Sequence, residues 1–358
     1  MGEDYTPDPS IDVGVPQNPA LENLPKAMGV AHEHYKSRFS NSSPSSLQPV
    51  ILFVVQEGET NTVDQRMLEF KLWNNHGIPV VRMSLTRAKT QLQMDPDTGA
   101  LYILSDSDGE HGTTPKYEVT LAYFRAGYAP TDYPDGYDGI EWQSREIIER
   151  SRATKCPQLG YHLAGTKKVQ QELARPGVLE RFFTQSEMSV KEEGLVDVDN
   201  MRSAFAGLYS LGEDAVEEDL DAVREAIEKE DGAGLYVLKP QREGGGYNYY
   251  GEDLVKMIKD NVEGSGSSLK LGEDLAEFIL MQRLFPPMQQ AVLLRAGVVE
   301  GTGESISEFG CFGAIVQGHD GKTLHNEYSG FLLRTKFSNV DEGGVASGFA
   351  TLSSPYLC

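Results

Sequence analysis

The chain has 358 residues, enough for two or three domains with substantial cores. Lys plus Arg number 32 and Asp plus Glu 54, a formal net charge of −22 that argues against a nucleic-acid partner and against an anionic membrane surface. Three widely spaced cysteines (Cys156, Cys311, Cys358) without CxxC, no apolar run of membrane-spanning length and an N-terminus lacking signal-peptide character point to a reducing, cytoplasmic setting.

Residues 1–18 read as an irregular Pro-rich lead-in, and 21–35 as a helix weakened by Pro25 and Gly29. His32 and His34 fall on different faces of that helix and read as surface residues rather than a metal pair. The Ser-rich stretch 40–49 is a linker. The run VILFVV at 50–55 has the continuous apolar character of a buried parallel strand. A helix over 63–76, stopped by Gly77, leads to strands at 80–83, 101–104 and 119–124 and a helix from 140 to about 153. Ligands of such α/β sheets sit at the carboxyl ends of the strands. There the sequence places Glu59, Thr60 and Asn61 with Gln65, and Arg125 with Tyr128. Either cluster alone is ordinary loop polarity; the two together point to a polar ligand.

Thr166 suits the N-cap of a helix whose first turn carries Lys167 and Lys168. Cations are unfavourable there, so the two lysines either face an anion or point into solvent. Helices near 201–211 and 215–228 precede a short apolar strand at 235–238 that delivers Lys239. It opens VLKPQREGGGYNYYG (237–251), with Arg242, Glu243, Gly244, Gly245 and Gly246. Three consecutive glycines cost backbone entropy and suit several N–H groups closing on a phosphate. Lys239 adds a point charge, and Glu243 is a carboxylate able to hold a divalent cation. Taken alone, the stretch also reads as a flexible hairpin tip. A helix near 253–260 and strands at 278–284, 291–294, 306–317 and 331–337 make this half a mixed or antiparallel sheet with helices. Arg334 and Lys336 precede a second Gly-rich stretch, 342–350, and Glu308 joins Glu243 as a candidate magnesium or ribose ligand. No HExxH, P-loop, GxGxxG or GxSxG motif occurs. Cations and glycine backbone for phosphate, with carboxylate for metal, are the constitution of a nucleotide-dependent ligase.

The blocks EGETNTVDQ, AYFRAGY, KCPQLGYHLAGTKKVQQELARPGVLE, FAGLYSL, VLKPQREGGGYNYYGE, FILMQRL, ISEFGCFG, GFLLRTK and GGVASG, in this order, closely resemble eukaryotic glutathione synthetase from about residue 16 onward. The resemblance implies an α/β (α+β) ATP-grasp fold with an inserted α/β substrate-binding domain. By motif the chain divides into an N-terminal remnant (1–47), a substrate-binding domain (48–163) and the ATP-grasp region (164–358). The implied activity condenses γ-glutamylcysteine with glycine at the expense of ATP, through an acyl phosphate, in a cytoplasmic homodimer with Mg2+ as cofactor. The same resemblance assigns Lys167 and Lys239 to the ATP phosphates and Glu243 to magnesium. It makes Gly244, Gly245 and Gly246 the loop over the phosphates, with Tyr247, Asn248 and Tyr250 beside it. Met281, Gln282, Arg283 and Leu284 line adenine, Glu308 meets the nucleotide, and Lys336 and Glu342 lie in a second ATP-contacting loop. Glu59, Thr60, Asn61, Gln65, Arg125 and Tyr128 take the peptide; Arg334, with Val345 and Ala346, takes the acceptor's carboxylate. Lys239 and Arg334 are the implied catalytic cations.

Two departures stand out. Tyr247 replaces a small polar residue usual in the family. The family's N-terminal portion, with a magnesium-holding E-x-N pair and an arginine and Ser-rich turn that touch the peptide, has no counterpart in these 358 residues. The chain therefore reads as an N-terminally truncated or fragmentary form with little ligase activity of its own. The other readings are a related ligase taking β-alanine, distinguished around Val345 and Ala346, and a non-catalytic ATP-binding or dimer-partner remnant.

Overall fold

In the computed structural model, which describes residues 14–41, 46–105, 114–184, 198–241, 247–345 and 347–356, the chain opens with α1 (Ala20–Phe39). The helix runs through Pro25, which is buried, and past the expected 21–35. It is followed by β1 (Gln48–Val54), α2 (Val63–His76), β2 (Val80–Met83), α3 (Leu85–Gln91), β3 (Leu92–Met94), β4 (Leu101–Leu104), β5 (Pro115–Phe124), α4 (Ile140–Arg150) and β6 (Thr154–Cys156). The expected helix from 140 thus ends at Arg150, where Ser151 turns extended and its N–H closes the last turn.

These strands form one mixed sheet of order β2-β1-β5-β4-β3, with β6 also on β5. Strand β1 runs parallel to both β2 and β5, and β5 parallel to β6; β3, β4 and β5 meet antiparallel. Both faces of β1 are covered, which is why its sequence shows no alternation. Ile51 and Phe53 pack with Met28 and Ala31 of α1 and Leu72 of α2, whereas Val50, Leu52 and Val54 pack with Leu85 and Ala88 of α3 and Ile148 of α4. Each such side chain contributes roughly 1.5–3 kcal/mol by its burial. The stop read at Gly77 is a left-handed C-cap: φ is 66°, its N–H reaches Trp73 O at 2.9 Å, and the Ile78 N–H reaches Leu72 O at 3.1 Å.

His32 corrects the surface reading. It is 3% exposed, and its Nδ1 lies 2.7 Å from Thr120 Oγ1, which itself donates to Val50 O at 3.0 Å. Thr120 has spent its only hydroxyl proton, so His32 Nδ1 must be the donor. Burial pushes its pKa down to about 4. Beside it Glu118, also buried, accepts from Arg152 at 2.7 Å and from Tyr35 Oη at 2.7 Å, and Arg152 Nε donates to Tyr35 Oη at 2.8 Å.

After α5 (Leu159–Ala164) come α6 (Lys167–Ala174), α7 (Val178–Thr184), α8 (Val198–Ser203), β7 (Leu208–Ser210), α9 (Glu217–Glu228), β8 (Tyr236–Pro240), α10 (Gly251–Lys259), β9 (Val262–Glu263), β10 (Lys270–Leu271) and β11 (Phe278–Gln282). The helix expected at 201–211 is replaced by α8 and β7: residues 208–210 pair with β11, and this tertiary pairing overrides their local helical spacing. Strands β7, β11 and β8 form an antiparallel sheet with β11 in the middle. Tyr236, Leu238, Phe278 and Leu280 face Ala222, Val223 and Ala226 of α9 and Leu254 and Ile258 of α10 in one apolar core. Helix α6 packs against β7 and β11.

The chain ends in β12 (Gln289–Arg295), β13 (Val298–Gln317), β14 (Thr323–Phe337) and β15 (Thr351–Ser353), an antiparallel sheet in that order. Helix α1 lies against β13 and β14. Ahead of the helix, the Asn18 amide pairs with Phe331: Nδ2 donates to Phe331 O at 2.7 Å, and Phe331 N–H donates to Oδ1 at 3.1 Å. Gly330 makes room for this, since a Cβ there would stand 2.6 Å from Asn18 Oδ1, and its φ is 111°.

Two compact units result, Met1–Leu159 with Met288–Cys358, and Gly160–Pro287. Contacts group the last four strands with the first half of the chain, whereas the division at 47 and 163 follows motifs.

Candidate functional site

The candidates gather into three groups, each on its own elements. The first sits where three parallel strands end together, Val54 opposite both Met83 of β2 and Phe124 of β5. Val55 N–H reaches Met83 O at 3.0 Å, and the Arg125 and Ala126 N–H groups reach Val54 O at 2.9 and 3.1 Å. The segments 56–62 and 125–129 therefore leave the sheet side by side, and the two polar clusters read from the sequence meet. Arg125 Nε donates to Asp64 Oδ2 at 3.3 Å. Burial alone would lower the Arg125 pKa, but Asp64, Tyr128, Tyr123 and Glu59 outweigh it and raise the value. Glu59, from the first cluster, is the smallest of these contributions.

Supporting residues hold this group. Asp132 Oδ2 accepts the N–H groups of Gly127, Tyr128 and Ala129 at 2.9, 3.1 and 3.1 Å, and its other oxygen accepts from Gln56 Nε2 at 3.1 Å. One carboxylate thereby fixes the Tyr128 backbone. Asn61 N–H donates to Glu59 Oε1 at 2.8 Å. Gln65 is fully buried; its Nε2 donates to Asn61 O at 3.2 Å, and its Oε1 accepts from the Arg82 guanidinium. Thr60 and Asn61 are exposed, and Glu59 and Tyr128 are half-buried. Sequence reading missed Asp64, Arg82 and Asp132. Arg82 had a signal: like Arg125, it is a cation at the carboxyl end of an apolar strand.

The second group lies on β13 and β14. Glu308 stands directly opposite Arg334, and Ile306 opposite Lys336, so Glu308, Arg334 and Lys336 share one face of the sheet. Glu308 and Arg334, assigned to different ligands by motif, form an ion pair with each other. Lys336 Nζ donates to Asp341 O at 2.7 Å, leading into the turn that carries Glu342 and Val345. Val345 O accepts from Gly348 N–H at 3.0 Å. Ala346 lies outside the described residues.

The third group belongs to the other unit. Lys239 is opposite Ile279 near the end of β8, and alternation places it on the face away from Leu238, with Met281 and Val237. Helix α6 covers that face from β7 and β11. Of its two lysines, Lys168 is committed: Nζ donates to Ser210 Oγ at 2.8 Å and to Asp214 at 2.9 Å, and its N–H donates to Gln241 Oε1 at 2.9 Å. Burial would raise the Asp214 carboxyl, but Ser210, Lys168 and Arg175 hold it down at about 2. Lys167 is half-buried with no hydrogen bond or ion pair among the described residues. Strand β11 is central, so its backbone is used on both sides: Gln282 N–H reaches Gly207 O and Arg283 N–H reaches Leu235 O, each at 2.8 Å. The Gln282 side chain also accepts from Gly207 N–H at 2.9 Å. Leu284, two residues past the end of β11, is 73% exposed. The Arg283 guanidinium stands 5.6 Å from the Tyr250 ring, and Asn248 Nδ2 donates to Tyr250 Oη at 3.2 Å; Tyr247 is exposed. Glu243, Gly244, Gly245 and Gly246 lie outside the described residues. Among the described residues no group of three or more His, Cys, Asp or Glu side chains could hold a metal ion.

Comparison with known proteins decides the family. The model described as "Eukaryotic glutathione synthase, ATP binding domain" matches residues 3–357. The chain belongs to that family. Relatives within it include the chloroplastic glutathione synthetase of Solanum lycopersicum, 40% identical over 99% of this chain and 55% of that protein. The glutathione synthetase of Dictyostelium discoideum is 37% identical over 96% of the chain and 63% of its own length, and that of Homo sapiens 39% over 94% and 62%. The chain thus spans between about half and three-fifths of the length of these relatives. Among solved structures, a glutathione synthetase-like effector from Globodera pallida, in apo form, superposes with a TM-score of 0.61 at 19% identity, covering 96% of this chain and 62% of that one. This likeness carries the fold: the mixed α/β arrangement is that of a glutathione synthetase-like protein, in keeping with the expected ATP-grasp architecture. No described helix is long and apolar enough to cross a membrane.

Proposed function

We propose that the chain handles ATP and a γ-glutamyl peptide in a ligase of the glutathione-synthetase type, joining γ-glutamylcysteine to glycine. The observation that carries this reading is the meeting of Glu59, Thr60 and Asn61 with Arg125 and Tyr128 at one strand edge, in a chain of this family. A zwitterionic peptide needs a guanidinium for its carboxylate and carboxylate or carbonyl oxygens for its ammonium, and this edge offers both.

Lys239 and Lys167 would neutralise the ATP phosphates, with Gly244, Gly245 and Gly246 offering backbone N–H groups. Adenine would lie along Met281–Leu284, its hydrogen-bonding edge directed to strand backbone. The cysteinyl carboxylate attacks the γ-phosphorus of ATP, the bond to the bridging oxygen breaks and ADP leaves, giving an acyl phosphate; the neutral glycine amine attacks its carbonyl carbon, the C–O bond breaks to release phosphate, and the nitrogen gives up a proton to the departing phosphate or solvent. The protein supplies position and charge rather than a nucleophile. Arg334 would hold the acceptor carboxylate beside Val345 and Ala346, an exchange of partners from Glu308. Lys336 and Glu342 would close on the nucleotide. Magnesium belongs to the proposal through Glu243 alone. The described residues do not assemble a metal site. Cytoplasmic location and a homodimer complete the reading.

The test is to incubate the purified chain with ATP, γ-glutamylcysteine and either glycine or β-alanine, following ADP and tripeptide, with calorimetry for each ligand. Tripeptide formed faster with glycine supports the full activity. Binding of ATP and peptide without turnover supports the non-catalytic remnant. A chain that binds neither ligand overturns the proposal.

A further inference from the structure

Arg82 is the last charged residue of β2, opposite Phe53 in register, so its side chain leaves the sheet on the face that α2 covers. It is part-buried, and its one described hydrogen bond goes to Gln65 Oε1. Gln65, on α2, is 0% exposed. A glutamine amide can be placed either way round. Here the guanidinium can only donate, so the oxygen must face Arg82 and Nε2 must face the Asn61 carbonyl. The Asn61 N–H is in turn bound to Glu59 at 2.8 Å. Three links therefore run in series from a strand, through a helix, to an exposed turn. The guanidinium polarises the amide and strengthens its donation to Asn61 O. Arg82 Nε is also buried without a hydrogen-bond partner. Such an orphan is costly, and a residue that served packing alone would be better replaced by an apolar one.

We propose that Arg82 is a positioning residue for the peptide site: it sets the orientation of the Gln65 amide and, through it, the shape of the Glu59–Asn61 turn that meets the γ-glutamyl peptide. The inference rests on the peptide-binding reading above and adds a residue that touches no ligand. With both amide ends engaged, Gln65 is the middle link of this relay.

The test has two arms, on the full chain. In the first, backbone amide exchange is followed without ligand in wild type, Arg82→Met and Arg82→Lys. Arg82→Met is expected to speed exchange at residues 59–62 about tenfold and to leave 68–72 in the body of α2 unchanged, with Arg82→Lys recovering part of the protection. Equal exchange in wild type and Arg82→Met overturns the relay, and so does a uniform rise along all of α2, which a merely structural role would give. In the second arm, calorimetry with γ-glutamylcysteine and, separately, ATP should show peptide affinity falling about tenfold in Arg82→Met at constant ATP affinity, with Gln65→Leu adding nothing further in that background. Unchanged peptide affinity in Arg82→Met refutes the proposal. A wild-type chain that binds no γ-glutamyl peptide refutes the functional reading, and the exchange arm still decides the relay.

Discussion

Two of the three sheets that carry candidate residues differ in what their interiors hold. Behind the parallel edge of β2, β1 and β5, the interior holds polar groups: Glu118 with Arg152 and Tyr35, neutral His32 with Thr120, and Gln65 with Arg82. Behind the antiparallel β7-β11-β8 sheet the interior is apolar, built on Leu238, Leu254, Ile258, Leu275 and Leu280, each essentially unexposed. Its ion pairs, Lys168 and Arg175 with Asp214, lie near the surface, although Asp219 is buried and accepts the N–H groups of Ser210 and Val216 at 3.0 and 2.8 Å. A buried polar network must be fully satisfied or it destabilises, so it fixes geometry; an apolar core is more forgiving of local rearrangement. The edge assigned to the peptide is thus rigidly specified, and the edge assigned to the nucleotide rests on burial with its cations left near solvent.

The sharpest way to break that contrast is to remove an acceptor from the polar interior. Glu118→Ala takes from Arg152, with a side chain only 9% exposed, its carboxylate partner at 2.7 Å and is expected to cost about 3–5 kcal/mol. Replacing both, Glu118→Leu with Arg152→Met, should recover most of the loss. Urea unfolding monitored by a probe in each unit would read both, and a silent Glu118→Ala would erase the distinction. In the other unit Leu238→Ala should cost about 2–5 kcal/mol by transfer and cavity terms, with no companion substitution of charge able to rescue it.

Acid should separate the two units. His32 has a folded pKa of about 4, below the roughly 6.5 of an unfolded histidine, so between these values the unfolded chain binds a proton that the folded chain refuses. Stability of the first unit therefore falls as pH drops from about 6.5 to 4, by roughly 3 kcal/mol, and His32→Gln should flatten that slope. In the second unit, Asp214 is held down at about 2, so its contribution is present above the unfolded value near 4 and is lost as pH falls from there toward 2. Melting curves for each unit between pH 7 and 3 would show whether the first yields earlier. The smallest effect is the most discriminating within α6. Lys167→Met is expected to weaken ATP binding about tenfold with stability unchanged, whereas Lys168→Met should lower stability by about 1 kcal/mol, because Asp214 and Ser210 lose their donor. Equal effects of the two substitutions on ATP would remove the basis for choosing Lys167.

Much of this was legible in the sequence where burial is two-sided or a stop is chemical. VILFVV announced β1 because α1 and α2 cover one face and α3 and α4 the other, and Gly77 marked the end of α2 because a left-handed residue is needed there. Residues 208–210 were misread as helix since a three-residue strand takes its identity from the partner β11 rather than from its own periodicity. Among site residues, the strand-end clusters were visible from position alone. Their supports were not. Arg82 acts on Gln65, Asp132 ties its own loop to Gln56 and Asp214 pairs with Lys168, links of 17 to 76 positions that no local pattern shows, and His32 looked like a surface residue because nothing local to α1 reveals that Thr120 lies against it.

The discontinuity of the first unit has a consequence during synthesis. The segment Gly160–Pro287 interrupts that unit, so α1 and the parallel sheet leave the ribosome well before β13 and β14, the strands that cover another side of α1. At about 5–20 residues per second, the gap is on the order of ten seconds. Throughout it the Asn18 amide waits for Phe331, 313 positions later, while the second unit, being continuous, can complete itself first. A nascent chain arrested before residue 288 should carry an unsealed α1 and be a client for chaperones, and emergence of the segment from Met288 onward is the event that closes the first unit.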